Sequence, residues 1–202
     1  MHLLHHLSEH LEVALIQIKA REQLIALTRT DELSGLLNRR AFHHDVTKRI
    51  AHGKRTKASN ALFYVDLDNF KPVNDRFGHE KGDQVLKAVS DLLYQNSRVG
   101  DMVARLGGDE FAIWFENMSI DEAGEKAESL QRKCHEVSAG LEITEPALGF
   151  SIGIAMATGE DQENLEGLLS LADSAMYEVK RDGKGSYFIA DEQMKNDGET
   201  GG

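Results

Sequence analysis

The 202 residues carry 41% apolar side chains and a formal net charge of −11, enough for one α/β domain with an additional element and inconsistent with a disordered chain. The negative balance argues against broad binding to a nucleic-acid backbone, whereas a phosphorylated small molecule would need local lysines or a divalent cation to offset the field. No apolar run approaches the roughly 18–20 residues that span a bilayer, and the start lacks the basic region, apolar core and cleavage site of a signal peptide. The single cysteine, Cys134, has no internal disulfide partner, so a reducing, cytoplasmic setting is expected.

Residues 1–28 read as one long helix without Gly or Pro. Leu4, Leu7, Leu11, Ala14, Ile18, Arg21 and Ile25 are spaced by alternating threes and fours, a heptad seam with one charged interruption. A dimerising coiled coil is favoured over a helix packed on its own domain, because the stripe precedes the globular pattern. His2, His6 and His10 share a face of this helix, but no acid or cysteine completes a metal-ligand set, and exposed histidines are the simpler reading.

The stretch from Thr30 to Arg40 breaks the helical pattern. Asp31 and Gly35 indicate a structured loop, and Asn38 is placed to cap a helix over about 39–52. A basic polar loop from His52 to Lys57 follows. The run Ala61–Asp66 is a buried strand, residues 79–97 a helix, and 102–116 a hairpin in which Gly107-Gly108-Asp109-Glu110 joins two apolar runs. A helix over 120–138 contains Cys134, read as a packed or partly exposed thiol. Leu148–Met156 is a second buried strand whose glycines indicate close approach of another backbone. A helix over about 164–181 and a short strand over 186–190 complete the pattern, and residues 191–202 form a polar tail. This alternation predicts an α/β or α+β sandwich.

Two segments concentrate the chemistry. The hairpin turn carries Asp109 and Glu110, which serve either as local turn acids or as metal ligands on a rigid sheet. The segment Asp66–Asp75 is dense in oxygen donors of the kind Mg²⁺ accepts, and Lys71 adds a point charge suited to phosphate. For Asn69 and Asp75 a polar turn with a helix cap is the simpler reading. Asp66, at a buried strand end, would be costly if unpaired. If the strands bearing Asp66 and Asp109 are neighbours, their carboxylates converge at one sheet edge. No P-loop is present: Gly183-Lys184-Gly185-Ser186 lacks the glycine five residues before the lysine. No zinc set or nucleophilic Ser/His/Asp arrangement can be picked out.

The pentapeptide Gly107–Phe111 is accompanied by Asp31–Arg40, Asp66–Asp75, Phe77–Asp83, Ser151–Ala155 and Met176–Lys184. With these motifs in this order, the chain resembles a GGDEF domain, the catalytic domain of diguanylate cyclases, from about Asp31 to Tyr187. The resemblance implies a central, mainly antiparallel sheet flanked by helices, like the palm of polymerases and class III nucleotide cyclases. It implies condensation of two GTP into cyclic di-GMP with release of two pyrophosphates. Asp66, the Leu67 carbonyl and Asp109 are the implied ligands of two Mg²⁺ ions, with Mn²⁺ as a substitute and Glu110 as an additional ligand. Asp109 is also the implied base for the 3′-hydroxyl, and Lys71 steadies transition-state charge. Asn74 and Asp83 are the implied guanine readers, with His79 lining the same site, and Lys180 and Lys184 contact phosphates. Gly107 and Gly108 leave a gap through which a nucleotide approaches the backbone. A carboxylate at Asp83 can accept from guanine N1–H and the 2-amino group, and such a site rejects an analogue lacking those donors by roughly 10⁴-fold or more.

Two positions depart from the family pattern. Ser34 stands where Thr is frequent and keeps the hydroxyl; Lys184-Gly185 stands where Arg-Asn is frequent, keeping the charge but losing the bidentate fork. Arg98 and Asp101, three apart, form by default a local salt bridge or turn. The resemblance makes them a product-binding inhibitory site, where Arg98 could grip guanine O6 and N7 in a pair worth about 1–3 kcal/mol in DNA readout. Since the product joins two GTP molecules symmetrically and each domain has one nucleotide site, a two-fold homodimer is expected. The division follows: 1–28 a signalling helix, 29–190 the cyclase domain, 191–202 the tail. A non-catalytic receptor for GTP or cyclic di-GMP, and a cyclase with changed base selectivity, are the competing readings.

Overall fold

The apolar run from Asn60 to Asp68 forms the central strand β2, and all nine of its residues are buried. The computed structural model describes residues 28–56, 58–157 and 164–190. Around β2 (Asn60–Asp68) stand β1 (Leu37–Asn38), β3 (Met102–Gly107), β4 (Glu110–Phe115), β5 (Gly149–Ala157) and β6 (Tyr187–Ile189), in the spatial order β1-β3-β4-β2-β5-β6. The three inner pairings are antiparallel, and the edge strands β1 and β6 pair parallel with β3 and β5. The helices are α1 (Arg39–Thr56), α2 (Phe70–Phe77), α3 (His79–Gln95), α4 (Ile120–Gly140) and α5 (Leu165–Arg181). The expected α+β sandwich with a mainly antiparallel sheet is the architecture observed.

Strand alternation divides the core into two layers. Phe63, Val65 and Leu67 of β2, with Phe111, Ile113 and Phe115 of β4, pack against Val85, Val89 and Leu93 of α3 and Ala127, Leu130 and Cys134 of α4. Leu62 and Tyr64 of β2, with Trp114 of β4, face Phe42, Val46 and Ile50 of α1 and Leu168, Ala172 and Met176 of α5. Asp66 and Asp68 have the parity of Leu62 and Tyr64, so they lie on the α1/α5 face. Cys134 is fully buried, and burial pushes its thiol up to about 12.

Local chemistry accounts for the helix ends. Asn38 caps α1, its Oδ1 accepting from Ala41 N at 2.9 Å. Ser119 and Glu122 form a reciprocal capping box at α4, and Asn164 Oδ1 accepts from Gly167 N at the start of α5. Close backbone approach, expected from the glycines of β5, occurs at Gly153: a Cβ there would overlap the Ala172 carbonyl oxygen and stand 2.9 Å from the Ala172 carbonyl carbon.

Three expectations need correction. Helix α1 continues to Thr56 instead of ending near residue 52, absorbing most of the expected basic loop. β2 runs through Asp68, so Asp66 lies two residues inside the strand. The donor-rich segment after it is the helix α2, not a turn, and Pro72 is tolerated because it sits in the first turn, where its missing N–H would have no intrahelical partner. Asn69 precedes α2 in the left-handed region (φ 64°), and its amide donates to the Ala147 carbonyl instead of capping the helix. The expected coiled coil over residues 1–28, with His2, His6 and His10, and the expected tail over 191–202 lie outside the described residues, apart from Thr28.

Candidate active site

The site begins with strand register. β2 and β4 pair so that Asp66 stands directly opposite Glu110, and Leu67 N donates to the Asp109 carbonyl at 3.1 Å. The hairpin turn is thereby seated on the end of β2, and Asp66 and Asp109 come together as expected from neighbouring strands. The ladder slips between Arg105 and Gly107, and Gly107 (φ 151°) and Gly108 (φ 53°) adopt backbone angles that favour glycine. Both glycines are exposed, and a Cβ on either would meet nothing within 4 Å, so their requirement is conformational.

The acids are electrostatically loaded. Burial pushes the Asp109 carboxyl above its ordinary 3.8, and the neighbouring Asp66 adds to the rise, while Lys180 and Arg105 oppose it. Lys180, near the C-terminus of α5, reaches back to Asp66 with Nζ 2.7 Å from Oδ2. Glu110 turns to other partners: it neighbours the Tyr64 hydroxyl, and Arg39 Nη2 lies 3.6 Å from Oε2. Burial, followed by the charges of Glu110 and Asp173, pushes Tyr64 up to about 12, so its hydroxyl remains a donor.

The turn is braced from behind. Arg105 donates to the Gly108 carbonyl through Nε at 3.0 Å and Nη2 at 2.8 Å, and its Nη1 meets Asp31 Oδ1 at 3.0 Å. Asp31 also accepts from the Ser34 amide and hydroxyl. Burial alone would raise the Asp31 carboxyl, but Ser34 and Arg105 together hold it below 3.8. A second brace forms at Asp68, which accepts from the Ser151 hydroxyl at 2.8 Å and from Gly185 N at 3.0 Å. It holds the turn Gly183-Lys184-Gly185, in which Lys184 has φ 68°.

The remaining expected residues continue from the same strand end. Lys71 opens α2, Asn74 lies one turn on, and His79 and Asp83 lie in the first turns of α3. Lys71, His79, Asp83 and Lys184 are exposed and Asn74 half-buried. Among the described residues none of their side chains has a hydrogen bond or ion pair. Arg98 and Asp101 lie apart from this edge, in the turn before β3. Both Asp101 oxygens accept backbone amides, from Arg98 N at 2.7 Å and Glu116 N at 3.2 Å, so the turn alternative holds there, and the Arg98 guanidinium is left without an ion pair among the described residues. The two residues border a cavity of about 550 Å³ that also meets Leu36, Tyr94 and Val103.

The donor set suits a hard divalent cation. Among the described residues no three His, Cys, Asp or Glu side chains gather around one point. Two carboxylates and a backbone carbonyl match Mg²⁺, which keeps water and phosphate oxygens as its other ligands. The loading of Asp109 by Asp66 is relieved by any cation placed between them.

Sequence reasoning did not find the braces. Arg105 and Asp68 sit in apolar strands, and Tyr64 reads as one more apolar strand residue. For Arg105 the available signal was a charge inside an apolar run expected to be buried, whereas Asp68 reads only as one of the oxygen donors of the segment Asp66–Asp75.

Residues 28–186 match the family described as diguanylate cyclase, GGDEF domain. The chain is similar to the diguanylate cyclase DosC of Escherichia coli K12, at 38% identity over 155 residues, covering 76% of this chain and 33% of DosC. It thus spans about a third of that curated relative's length. Among solved structures, the GGDEF-only fragment of TpbB (YfiN) from Pseudomonas aeruginosa superposes with a TM-score of 0.74 at 30% identity, covering 84% of this chain and 99% of the other. The GGDEF domain of DgcB from Caulobacter crescentus, solved in complex with c-di-GMP, superposes with a TM-score of 0.73 at 27% identity, covering 80% and 95%.

Proposed function

The chain belongs to the GGDEF domain family of diguanylate cyclases, and from that premise we propose that it condenses two GTP into cyclic di-GMP, releasing two pyrophosphates. The observation that carries this reading is the β2–β4 register, which sets the Asp109 turn beside Asp66. In each half-reaction the 3′-hydroxyl oxygen of one GTP bonds to the α-phosphorus of the other, the bond to pyrophosphate breaks, and the hydroxyl proton passes to Asp109. Asn74 and Asp83 read guanine beside His79. Lys71, Lys180 and Lys184 meet the phosphates, and the exposed Gly107 and Gly108 let the nucleotide approach the turn. Asp66, Asp109 and the Leu67 carbonyl would hold Mg²⁺, with Glu110 as a further acid next to them; when bound, the ions align the hydroxyl and offset charge on the leaving group. Catalysis is then positioning plus electrostatics, with no covalent enzyme intermediate.

A symmetric product requires two sites face to face, so the working unit is a two-fold homodimer. Residues 1–28 are proposed as the signalling helix that sets this approach, 29–190 as the cyclase domain and 191–202 as a tail. No described helix is long and apolar enough to cross a membrane; a cytoplasmic location is part of the same proposal. The Arg98/Asp101 turn is proposed as the site of product inhibition, supported by the unpaired Arg98 and the neighbouring cavity. Product affinity measured by calorimetry should fall in Arg98→Ala; unchanged affinity removes that site. The main test is to incubate the protein with Mg²⁺ and GTP, ATP or both and identify products by mass. Cyclic di-GMP from GTP alone is expected. No product from any nucleotide would leave a receptor, and a mixed dinucleotide would mean relaxed base selectivity.

A further inference from the structure

Gly82 is a buried glycine inside helix α3, one residue before Asp83. Its amide donates to the Gly78 carbonyl at 3.2 Å, so it is part of the helical ladder. A glycine inside a helix carries a conformational penalty relative to alanine, and neither a turn nor a positive φ excuses it here. The space of its missing side chain is filled by Asn74. A Cβ built on Gly82 would overlap Asn74 Oδ1 and stand 2.9 Å from Cγ and 3.3 Å from Nδ2. The carboxamide oxygen of Asn74 therefore points onto bare helix backbone, at the residue before Asp83. The Asn74 side chain is half-buried and has no hydrogen-bond partner among the described residues; with Oδ1 turned onto Gly82, its two Nδ2 donors are left for a ligand.

We propose that Gly82 is a positioning residue for base selection: it lets the Asn74 carboxamide lie against α3, level with Asp83, so that the two present one hydrogen-bonding edge to a purine. This rests on the reading of Asn74 as a guanine contact. A methyl group at residue 82 displaces the short Asn74 side chain, which can swing outward, and leaves the helix intact.

The full chain is titrated with a GTP analogue bearing a methylene bridge between the α and β phosphates, and with its adenine counterpart. Gly82→Ala should weaken the guanine analogue about tenfold, the size of one lost neutral hydrogen bond, and leave the adenine analogue unchanged. Gly82→Ala combined with Asn74→Ala should match Asn74→Ala alone, because the first change acts only through the second. The Asn74 side-chain amide resonance should move in Gly82→Ala, with no fall in melting temperature. Native guanine affinity in Gly82→Ala with an unmoved Asn74 resonance overturns the proposal. So does equal weakening of both analogues, or a combined variant that loses the two factors independently. If the resonance moves while Asn74→Ala and Gly82→Ala both bind the guanine analogue normally, the guanine reading itself falls, and the role assigned to Gly82 falls with it.

Discussion

Arg105→Ala tests whether the hairpin turn is positioned from behind. Arg105 joins the Gly108 carbonyl to Asp31, 74 residues away in sequence, and its side chain is only 13% exposed. Hydrogen bonds from a charged donor contribute about 1.5–3 kcal/mol each. The two to Gly108 share one acceptor, and Ser34 still satisfies Asp31. A net loss of about 2–3 kcal/mol is expected once Arg105 is removed. For a chain of this size that lowers the melting temperature by roughly 4–12 °C. The catalytic loss should be larger, because a displacement of about 1 Å can cost about 10²-fold in rate. It should fall on kcat, since Asn74 and Asp83, proposed to bind the base, are carried by other elements. The acid limb should also move. Because Asp31 is held below its ordinary 3.8, its contribution is complete above that pH and is lost as pH falls through the depressed value. Without Arg105 the depression shrinks, so acid unfolding begins at higher pH. Arg105→Lys, which keeps the charge but not the fork, should fall between. Initial rates of cyclic di-GMP formation, calorimetric melting and an acid titration measure all three. A native kcat in a variant that melts lower would show that Arg105 only stabilises the fold, and would refute the positioning argument.

Three further outcomes follow from the same geometry. Asp109→Asn should reduce the cyclase rate by about 10²–10⁴-fold, the usual contribution of a general base. Without divalent cation it should also melt higher at pH 7 but not at pH 3: burial and Asp66 raise the Asp109 pKa, so its destabilising effect grows as pH climbs through the raised value, and a lower melting temperature at pH 7 would contradict this sign. Asp68→Ala leaves Gly185 N and the Ser151 hydroxyl without their acceptor, at about 1–3 kcal/mol for each group that stays buried and unpaired. The Lys184 turn should exchange its amide hydrogens faster and KM for GTP should rise, whereas unchanged exchange at residues 183–186 would show that another contact holds the turn. Gly153→Ala forces a methyl group into the backbone of α5 and should cost about 1–3 kcal/mol or more, read as a lower denaturation midpoint with unchanged slope.

What could be read from the chain depended on how local the cause was. The hairpin was legible because two apolar runs flank a glycine pair, and the core strands because their runs are continuous. Helix α2 was missed because Phe70–Phe77 is short, contains Pro72 and buries only Val73, leaving no periodic stripe to detect. The extension of α1 past Gly53 was missed because the glycine and the surrounding charges suggested a break, yet the helix continues through it. The braces at Arg105 and Asp68 were invisible for a different reason. Their partners lie 74 and 117 residues away, and no spacing rule connects them. Asp66 and Asp109 could be brought together only on the condition that their strands are neighbours, which the sheet order meets.

Apart from Asp66, which pairs with Lys180, and Glu110, which meets Arg39, the polar residues at this edge fall into two sets, and the division explains how the loops around the site can be rigid before any ligand arrives. Asp31, Asp68 and Arg105 have their main polar atoms engaged within the protein, and each fixes a segment by a contact between elements distant in sequence. Lys71, Asn74, His79, Asp83 and Lys184 have open side chains, and they stand on or beside the fixed segments. Had the open groups also been the ones that hold the loops, binding a nucleotide would have to break the contacts that shape its own site. Because Asp68 holds the turn, Lys184 is free to meet an anion; because Arg105 holds Gly108, the adjacent Asp109 is free to meet a cation or a proton. A site built this way needs only side-chain ordering when it binds, so most of the interaction energy remains available for the reacting groups.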